Sequence, residues 1–252
     1  METIRIFPVG KTAACRYAAN FLERSGISLV DHPTPEATHL LLDVPSFAAD
    51  GTLRGGGELE PLLQMLPPDI TVVGGNLTHP ALQGYEALDL LQDADYLAEN
   101  AAITADCALR VAAQQLEATF SDSPTLIIGW GRIGKCLGQL LRSMGTDVTI
   151  AARKASDRAM LRALDYEAVD IRSLCKILPK YRLLFNTAPE LILDQVDLLD
   201  TKHCVKIDLA SRPGILGEDV IWARGLPGAY APESSGQLIA KTLLRLSKEV
   251  SP

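Results

Sequence analysis

Gly129-Trp130-Gly131-Arg132-Ile133-Gly134 is the run whose residue types and spacing point most directly to chemistry. It reads G-x-G-x-x-G, follows the apolar stretch Thr125–Ile128 and opens a helical pattern over Ile133–Met144. In that context Gly129 permits a tight turn and Gly131 lets the backbone approach a pyrophosphate. Gly134 lets helix and strand close up. The free N–H groups and partial positive charge of the helix start would face the phosphates, with Trp130, Arg132 and Ile133 filling the loop. The competing explanation is a merely tight strand–helix turn.

About 20 residues further on, an NAD-binding chain carries an acid at the end of its second strand. Here the run is Ala151-Ala152-Arg153-Lys154-Ala155-Ser156, which has no carboxylate. Arg153, Lys154 and Ser156 suit a 2′-phosphate instead, so NADP(H) is the expected cofactor. The alternative is that Arg153 and Lys154 are solvated loop charges. Asn186-Thr187-Ala188-Pro189 ends another apolar run, and Asp208 ends the next. Both would lie at the carboxyl edge of a doubly wound sheet, where ligands bind. They are candidates for ribose, nicotinamide or water contacts, or else for a capped turn and a satisfied strand end.

The elements that must position these residues come in two alternations. In the first, Ile4–Val9, Ile27–Val30, His39–Leu42 and Ile70–Val73 are predicted strands, with Tyr85–Leu90 a candidate fifth. A helix through Ala13, Tyr17, Phe21 and Leu22 stops at Gly26, and a short helix around Leu59–Met65 follows the Gly51–Gly57 loop. The second begins with a predicted helix over Thr104–Phe120. Strands follow at Thr125–Ile128, Thr146–Ala151, Leu183–Asn186, Val205–Leu209 and Ile221–Ala223, with helices at Ile133–Met144 and Ala155–Leu164. Ser235–Val250 reads as a long amphipathic helix. The expected fold is α/β with two doubly wound domains. Residues 1–103 form a flavodoxin-like substrate domain and 104–233 a Rossmann dinucleotide-binding domain, with the helix at 234–252 packing back on the first.

Composition narrows the classes. The 252 residues, 47% of them hydrophobic and 22% charged, suffice for one large or two small cores. Lys and Arg number 24 against 31 Asp and Glu, a net charge of −7, and aromatics are 5%. That balance is poor for a general nucleic-acid binder. No apolar window of ~18 residues suggests a membrane span, and the start lacks a signal-peptide pattern. Cys15, Cys107, Cys136, Cys175 and Cys204 are an odd set at long spacings, read as reduced, buried thiols in a cytoplasmic protein. The scattered His32, His39, His79 and His203 give no metal-ligand cluster.

Several motifs in consistent order carry a family resemblance over residues ~96–245. Asn100-Ala101-Ala102-Ile103-Thr104-Ala105-Asp106 resembles the N-S-I-P-T-x-E segment of the family of dipicolinate synthase A subunits. Gly129–Gly134 resembles that family's G-x-G-R-x-G, Ala151–Arg153 its G-A-R, and Asn186–Pro189 its N-T-x-P. Asp208–Gly214 resembles D-L-A-S-[RK]-P-G, and Gly225–Gly228, Ala231-Pro232 and Gly236-Gln237 resemble the family's ending. The resemblance implies a two-domain fold like the 2-hydroxyacid dehydrogenases. It implies NADP-linked formation of pyridine-2,6-dicarboxylate, a spore constituent, from a dihydrodipicolinate-type intermediate. It also implies a flavoprotein-like second subunit.

A dicarboxylate substrate needs cations and hydrogen-bond donors. The candidates are Lys11, Ser46, Thr104 and Arg212, with Asp106 as an acid at the helix start or a general base. Lys11 is also explicable as a surface lysine, and Thr104 as a helix cap. The sequence departs from the family at Val9-Gly10-Lys11-Thr12-Ala13, at Cys107 and at Ile215. Only Ile215–Val220 separates the Asp208 motif from the last strand, so a crossover helix is expected to be shortened or lost. Two other functions fit less of the pattern: a different NADP-dependent dehydrogenase, and a non-catalytic nucleotide-binding subunit. His203 alone past residue 100 argues against 2-hydroxyacid chemistry. A homo-oligomer is left open.

Overall fold

The apolar runs of the first hundred residues are separated by more chain than a hairpin needs, so neighbouring strands pair in parallel. The computed structural model, which describes residues 4–250, places them at β1 (Arg5–Pro8), β2 (Ser28–Leu29), β3 (His39–Leu41), β4 (Thr71–Gly74) and β5 (Ala87–Asp89). All pairings are parallel and the order is β2-β1-β3-β4-β5, the flavodoxin order. α1 (Ala13–Arg24) follows β1, capped by the Thr12 hydroxyl, and α2 (Leu59–Leu63) lies in the long connection before β4. One face of the sheet is sealed by Phe7, Leu40, Leu42, Leu59, Ile70 and Val72.

The chain splits into two compact units. One takes the residues up to Asn100 and again from Pro227; the other is Ala101–Leu226. In the first unit α7 (Pro232–Val250) packs along α1. The contact is close at Gly236, where a Cβ would lie 2.5 Å from the Ala14 carbonyl oxygen and 2.7 Å from the Ala18 nitrogen. Arg245 pairs with Asp93 at 2.6 Å. Burial pushes the Asp93 carboxyl up, but Arg245 and the Tyr96 N–H outweigh it and hold the group below its usual range. The end of the expected tail helix beyond residue 250 lies outside the described residues.

The second unit contains β6 (Thr125–Ile128), α4 (Arg132–Ser143), β7 (Val148–Ala152), α5 (Ala155–Ala163), β8 (Glu167–Asp170), β9 (Leu183–Asn186), β10 (Val205–Asp208) and β11 (Val220–Trp222). Its six strands are parallel in the order β11-β10-β9-β6-β7-β8. This is the dinucleotide-fold order, and β6 sits at the switch point between β7 and β9. The fold class expected from the sequence is therefore the one observed.

Three elements differ from the sequence reading. α3 (Ala94–Gln115) begins ten residues before Thr104, because the Asp93 carboxylate caps its start through the Tyr96 N–H at 2.7 Å. It stops short of Phe120, where Thr119, Asp122 and Ser123 form a hydrogen-bonded turn. β8 is an added edge strand, acidic at both ends and largely unburied, so it shows no apolar run. The crossover between Asp208 and β11 contains no helix, as expected, and neither does the segment between β9 and β10. Short α6 (Leu226–Tyr230) fills the Gly-Leu-Pro-Gly segment.

Gly236→Ala is expected to destabilise the protein by about 1–3 kcal/mol through overpacking. The check is a lower urea midpoint at unchanged m, with exposed Ser234→Ala as the silent control.

Candidate functional site

The carboxyl end of β6 carries the glycine loop, and its geometry separates the three glycine roles. Gly129 has φ 103°, a left-handed conformation that other residues rarely adopt. A Cβ there would also meet the Thr187 hydroxyl at 2.4 Å. A Cβ on Gly134 would lie 2.3 Å from the Gly129 carbonyl oxygen, so helix and turn touch there. Gly131, the N-cap of α4, has no heavy atom within 4 Å of a Cβ position. Open space thus lies over the glycine that the sequence pattern would leave for a ligand, and no side chain caps the helix start. The residues present fit a dinucleotide pyrophosphate. Arg132 is exposed and Ile133 half-buried. Trp130 stands edge-on to Tyr166, ring centroids 5.7 Å apart, with the Lys135 ammonium 5.8 Å from its ring.

β7 supplies the next rim. Arg153, Lys154 and Ser156 are all exposed at the turn into α5. Arg158 donates to the Ala152 and Arg153 carbonyl oxygens at 2.8 and 2.7 Å and pairs with Asp170 at 3.0 Å, which fixes the bend. Arg153 is ion-paired with Glu190. Glu190 escaped the sequence reading because it lies 37 residues away in the chain.

Asn186, Thr187 and Asp208 are brought together, but their polar groups serve the protein. Asp208 is fully buried and accepts four hydrogen bonds. They come from Asn186 Nδ2 (2.8 Å), the Ala210 N–H (3.0 Å), the Gly214 N–H (2.7 Å) and the Ile215 N–H (3.0 Å). The Asn186 amide also donates to the Ala188 carbonyl and accepts from its N–H. Thr187 gives both its N–H and its hydroxyl hydrogen to the Ile128 carbonyl, at 2.8 and 2.9 Å. The geometry makes these residues a frame for the loop that continues through Ala188 and Pro189.

The substrate candidates are spread over both units. In the first, Ser46 is buried, gives its proton to the Asp43 carbonyl at 2.8 Å and accepts from the Gly75 N–H at 3.0 Å. Its hydroxyl shapes the loop. Lys11 is exposed and its stem runs over Gly55, where a Cβ would sit 2.9 Å from it. The buried Asp43 carboxylate, which the sequence reading passed over, accepts from the Lys11 and Thr12 N–H groups at 3.0 Å each and from the Thr12 hydroxyl at 2.6 Å. Burial, then the Asp43 charge, pushes the Cys15 thiol up to about 12, so it is neutral and no nucleophile.

In the second unit, Thr104 and Asp106 lie in the body of α3, not at its start; the acid in the first turn is Asp95. Thr104 is therefore no helix cap, and Asp106 is an exposed acid paired one turn on with Arg110 at 2.7 Å. Arg212 is exposed, with no ion-pair partner among the described residues. The thiols are not all buried: Cys136 is half-buried, and Cys175 is exposed with its Sγ 3.0 Å from Asp197. Among the described residues no His, Cys, Asp and Glu group is arranged to hold a metal, and no helix is long and apolar enough to cross a membrane.

Fold and site together define a two-unit α/β protein whose second unit has dinucleotide-fold topology. No protein-family model matches the chain. Its sequence is 28% identical over 170 residues to the dipicolinate synthase A subunit of Bacillus subtilis (strain 168), covering 64% of this chain and 57% of that protein. The chain thus matches less than two thirds of that relative's length. The dipicolinate synthase A subunit from Bacillus halodurans superposes over 100% of both chains with TM-score 0.84 at 20% identity. The corresponding Bacillus subtilis dipicolinate synthase structure gives 0.81 at 20%, over 99% of this chain and 97% of that one. A transhydrogenase from Sinorhizobium meliloti gives 0.71 at 12%, over 97% and 93%. The resemblance read from the motifs thus recurs in sequence and in fold.

Asp208→Asn places an NH₂ group against N–H donors and is expected to cost on the order of 3 kcal/mol. Chemical denaturation checks the loss, and a full loss of folding at room temperature is not expected.

Proposed function

We propose that the chain is an NADP(H)-dependent oxidoreductase of the dipicolinate synthase type, corresponding to that enzyme's A subunit. It forms pyridine-2,6-dicarboxylate from a dihydrodipicolinate-type intermediate, in the cytoplasm of a spore-forming cell and together with a flavoprotein-like second subunit. The observation that carries the dinucleotide part is Gly131, open above while Gly129 and Gly134 are closed in by protein atoms. The substrate part leans on the likeness in sequence to the Bacillus subtilis synthase.

In this reading the N–H groups at the start of α4 hold the pyrophosphate, with Arg132 beside them. Arg153, Lys154 and Ser156 take the 2′-phosphate. Asn186, Thr187, Ala188, Pro189 and Asp208 fix the rim against which the rest of the cofactor lies. When bound, the dinucleotide supplies the hydride acceptor needed to aromatise a dihydropyridine ring. Arg212, a cation of the second unit free of ion pairs among the described residues, holds a substrate carboxylate. Asp106 is the acid available to receive the ring proton; Thr104, buried two residues earlier on the same helix, faces away from it and shapes the packing of α3 instead. Aromatisation supplies a large driving force, so a strongly perturbed general base is not required.

A second reading, a non-catalytic nucleotide-binding subunit, is favoured by one observation: Asp106 is solvent-exposed and already paired with Arg110. Turnover separates the two. Purified protein, enzymatically prepared cyclic precursor and NADP are expected to give dipicolinate, read by sensitised terbium luminescence, with and without the flavoprotein-like partner. Arg212→Gln is expected to lower kcat/KM by roughly tenfold or more, the worth of one charge-assisted hydrogen bond. Tight NADPH binding with no product under either condition would contradict the catalytic reading.

A further inference from the structure

The second strand of this dinucleotide fold lacks the acid that holds a ribose diol, yet the structure delivers one from elsewhere. Arg153 follows β7 and Glu190 lies on the loop after β9, and these strands flank β6. Their ion pair therefore runs across the carboxyl end of β6, the edge where the glycine loop turns. We propose that Glu190 sets the dinucleotide preference of this site: its carboxylate stands in for the absent acid after β7, so that the site takes NAD(H) as well as NADP(H). The inference rests on the reading of this edge as a dinucleotide site.

The backbone around Glu190 is held firmly. The Ile192 N–H donates to the Gly214 carbonyl at 2.8 Å. A Cβ on Gly214 would fall 2.4 Å from Asn186 Nδ2 and 2.7 Å from the Glu190 carbonyl oxygen. Gly214 in turn donates its N–H to Asp208. The loop is thus clamped to the buried carboxylate of β10, while the Glu190 side chain is 60% exposed and bonded to the equally exposed Arg153. Glu190 has a fixed root and an exposed head.

The two ligands ask opposite things of the pair. A ribose 2′-hydroxyl donates its hydrogen to a carboxylate, and Glu190 accepts it while Arg153 stays beside it. A 2′-phosphate needs the Arg153 guanidinium for itself and repels Glu190. Arg153 then exchanges Glu190 for the phosphate, and Glu190 swings into solvent. Lys154 and Ser156 assist only the phosphorylated ligand. The partner exchange offsets part of the gain from phosphate binding, which narrows the preference for NADP(H).

The test measures Kd for NADPH and NADH on the full chain, by quenching of protein fluorescence. The variants are Glu190→Gln, Glu190→Asp and Arg153→Gln, all at exposed positions. The unaltered protein is expected to bind both dinucleotides within about tenfold of each other. Glu190→Gln is expected to tighten NADPH and weaken NADH, moving their ratio ~tenfold toward NADPH, about 1.4 kcal/mol. The shift shrinks at high salt, because both charges are exposed. Glu190→Asp restores part of the original ratio, and Arg153→Gln moves it the other way. An unchanged ratio in Glu190→Gln, or both ligands shifted by one factor, overturns the proposal and leaves the dinucleotide site standing. Binding of neither dinucleotide by the unaltered, folded protein overturns both.

Discussion

One buried carboxylate organises the edge of the second sheet. Alternation along β10 puts Lys206 and Asp208 on the same face. That face is covered by loops, because no helix connects β9 to β10 or β10 to β11. A loop packed on a sheet brings unpaired backbone groups that must find partners. Lys206 is buried and donates to the Thr201 and Cys204 carbonyls and to Asp219, at 2.7, 2.9 and 2.6 Å. Asp208 takes N–H groups where Lys206 takes carbonyls. Two charges on one strand thus replace the polar satisfaction that crossover helices supply internally. A fully bonded buried charge is tolerated, whereas a half-bonded one is not.

The same device recurs in the first unit. Asp43 follows β3 and collects the start of α1 through Lys11 and Thr12. Asp89 ends β5 and accepts from the Asn76, Leu77 and Leu91 N–H groups at 3.0, 2.9 and 2.9 Å. Parallel strands release all their following loops at one edge. A carboxylate at a strand end is long enough to reach the neighbouring loop and accepts several N–H groups at once. The loops at these edges are therefore tied to strands, and the side chains between the ties, such as Arg153, Glu190 and Arg212, are left exposed.

Much of this was legible in the chain, and the exceptions share a cause. The fully buried, largely apolar strands β6 and β9 and the glycine loop follow from local residue types, since each is sealed by its own neighbours. The missing crossover helix after Ile215 was visible as a simple shortage of residues. β8 was hidden because an edge strand needs little apolar surface. The start of α3 is hidden because its cap, Asp93, sits well before the Thr104 motif. The strand-end positions of Asp208 and Asn186 are plain in the sequence, but whether they face a ligand or each other depends on contacts 22 residues apart. Glu190 was invisible for the same reason. Local chemistry marks where a site lies, and long-range contacts decide which of its groups remain free.

The proposed function requires that the open loop at Gly131 receive a dinucleotide. Hydrogen–deuterium exchange of the full chain with and without NADPH reads this at the loop itself. Exchange is expected to slow in residues 131–135 and 153–156 and to stay unchanged in β10, whose strand is already paired on both sides. Protection confined to other segments, or none at saturating NADPH, would contradict it.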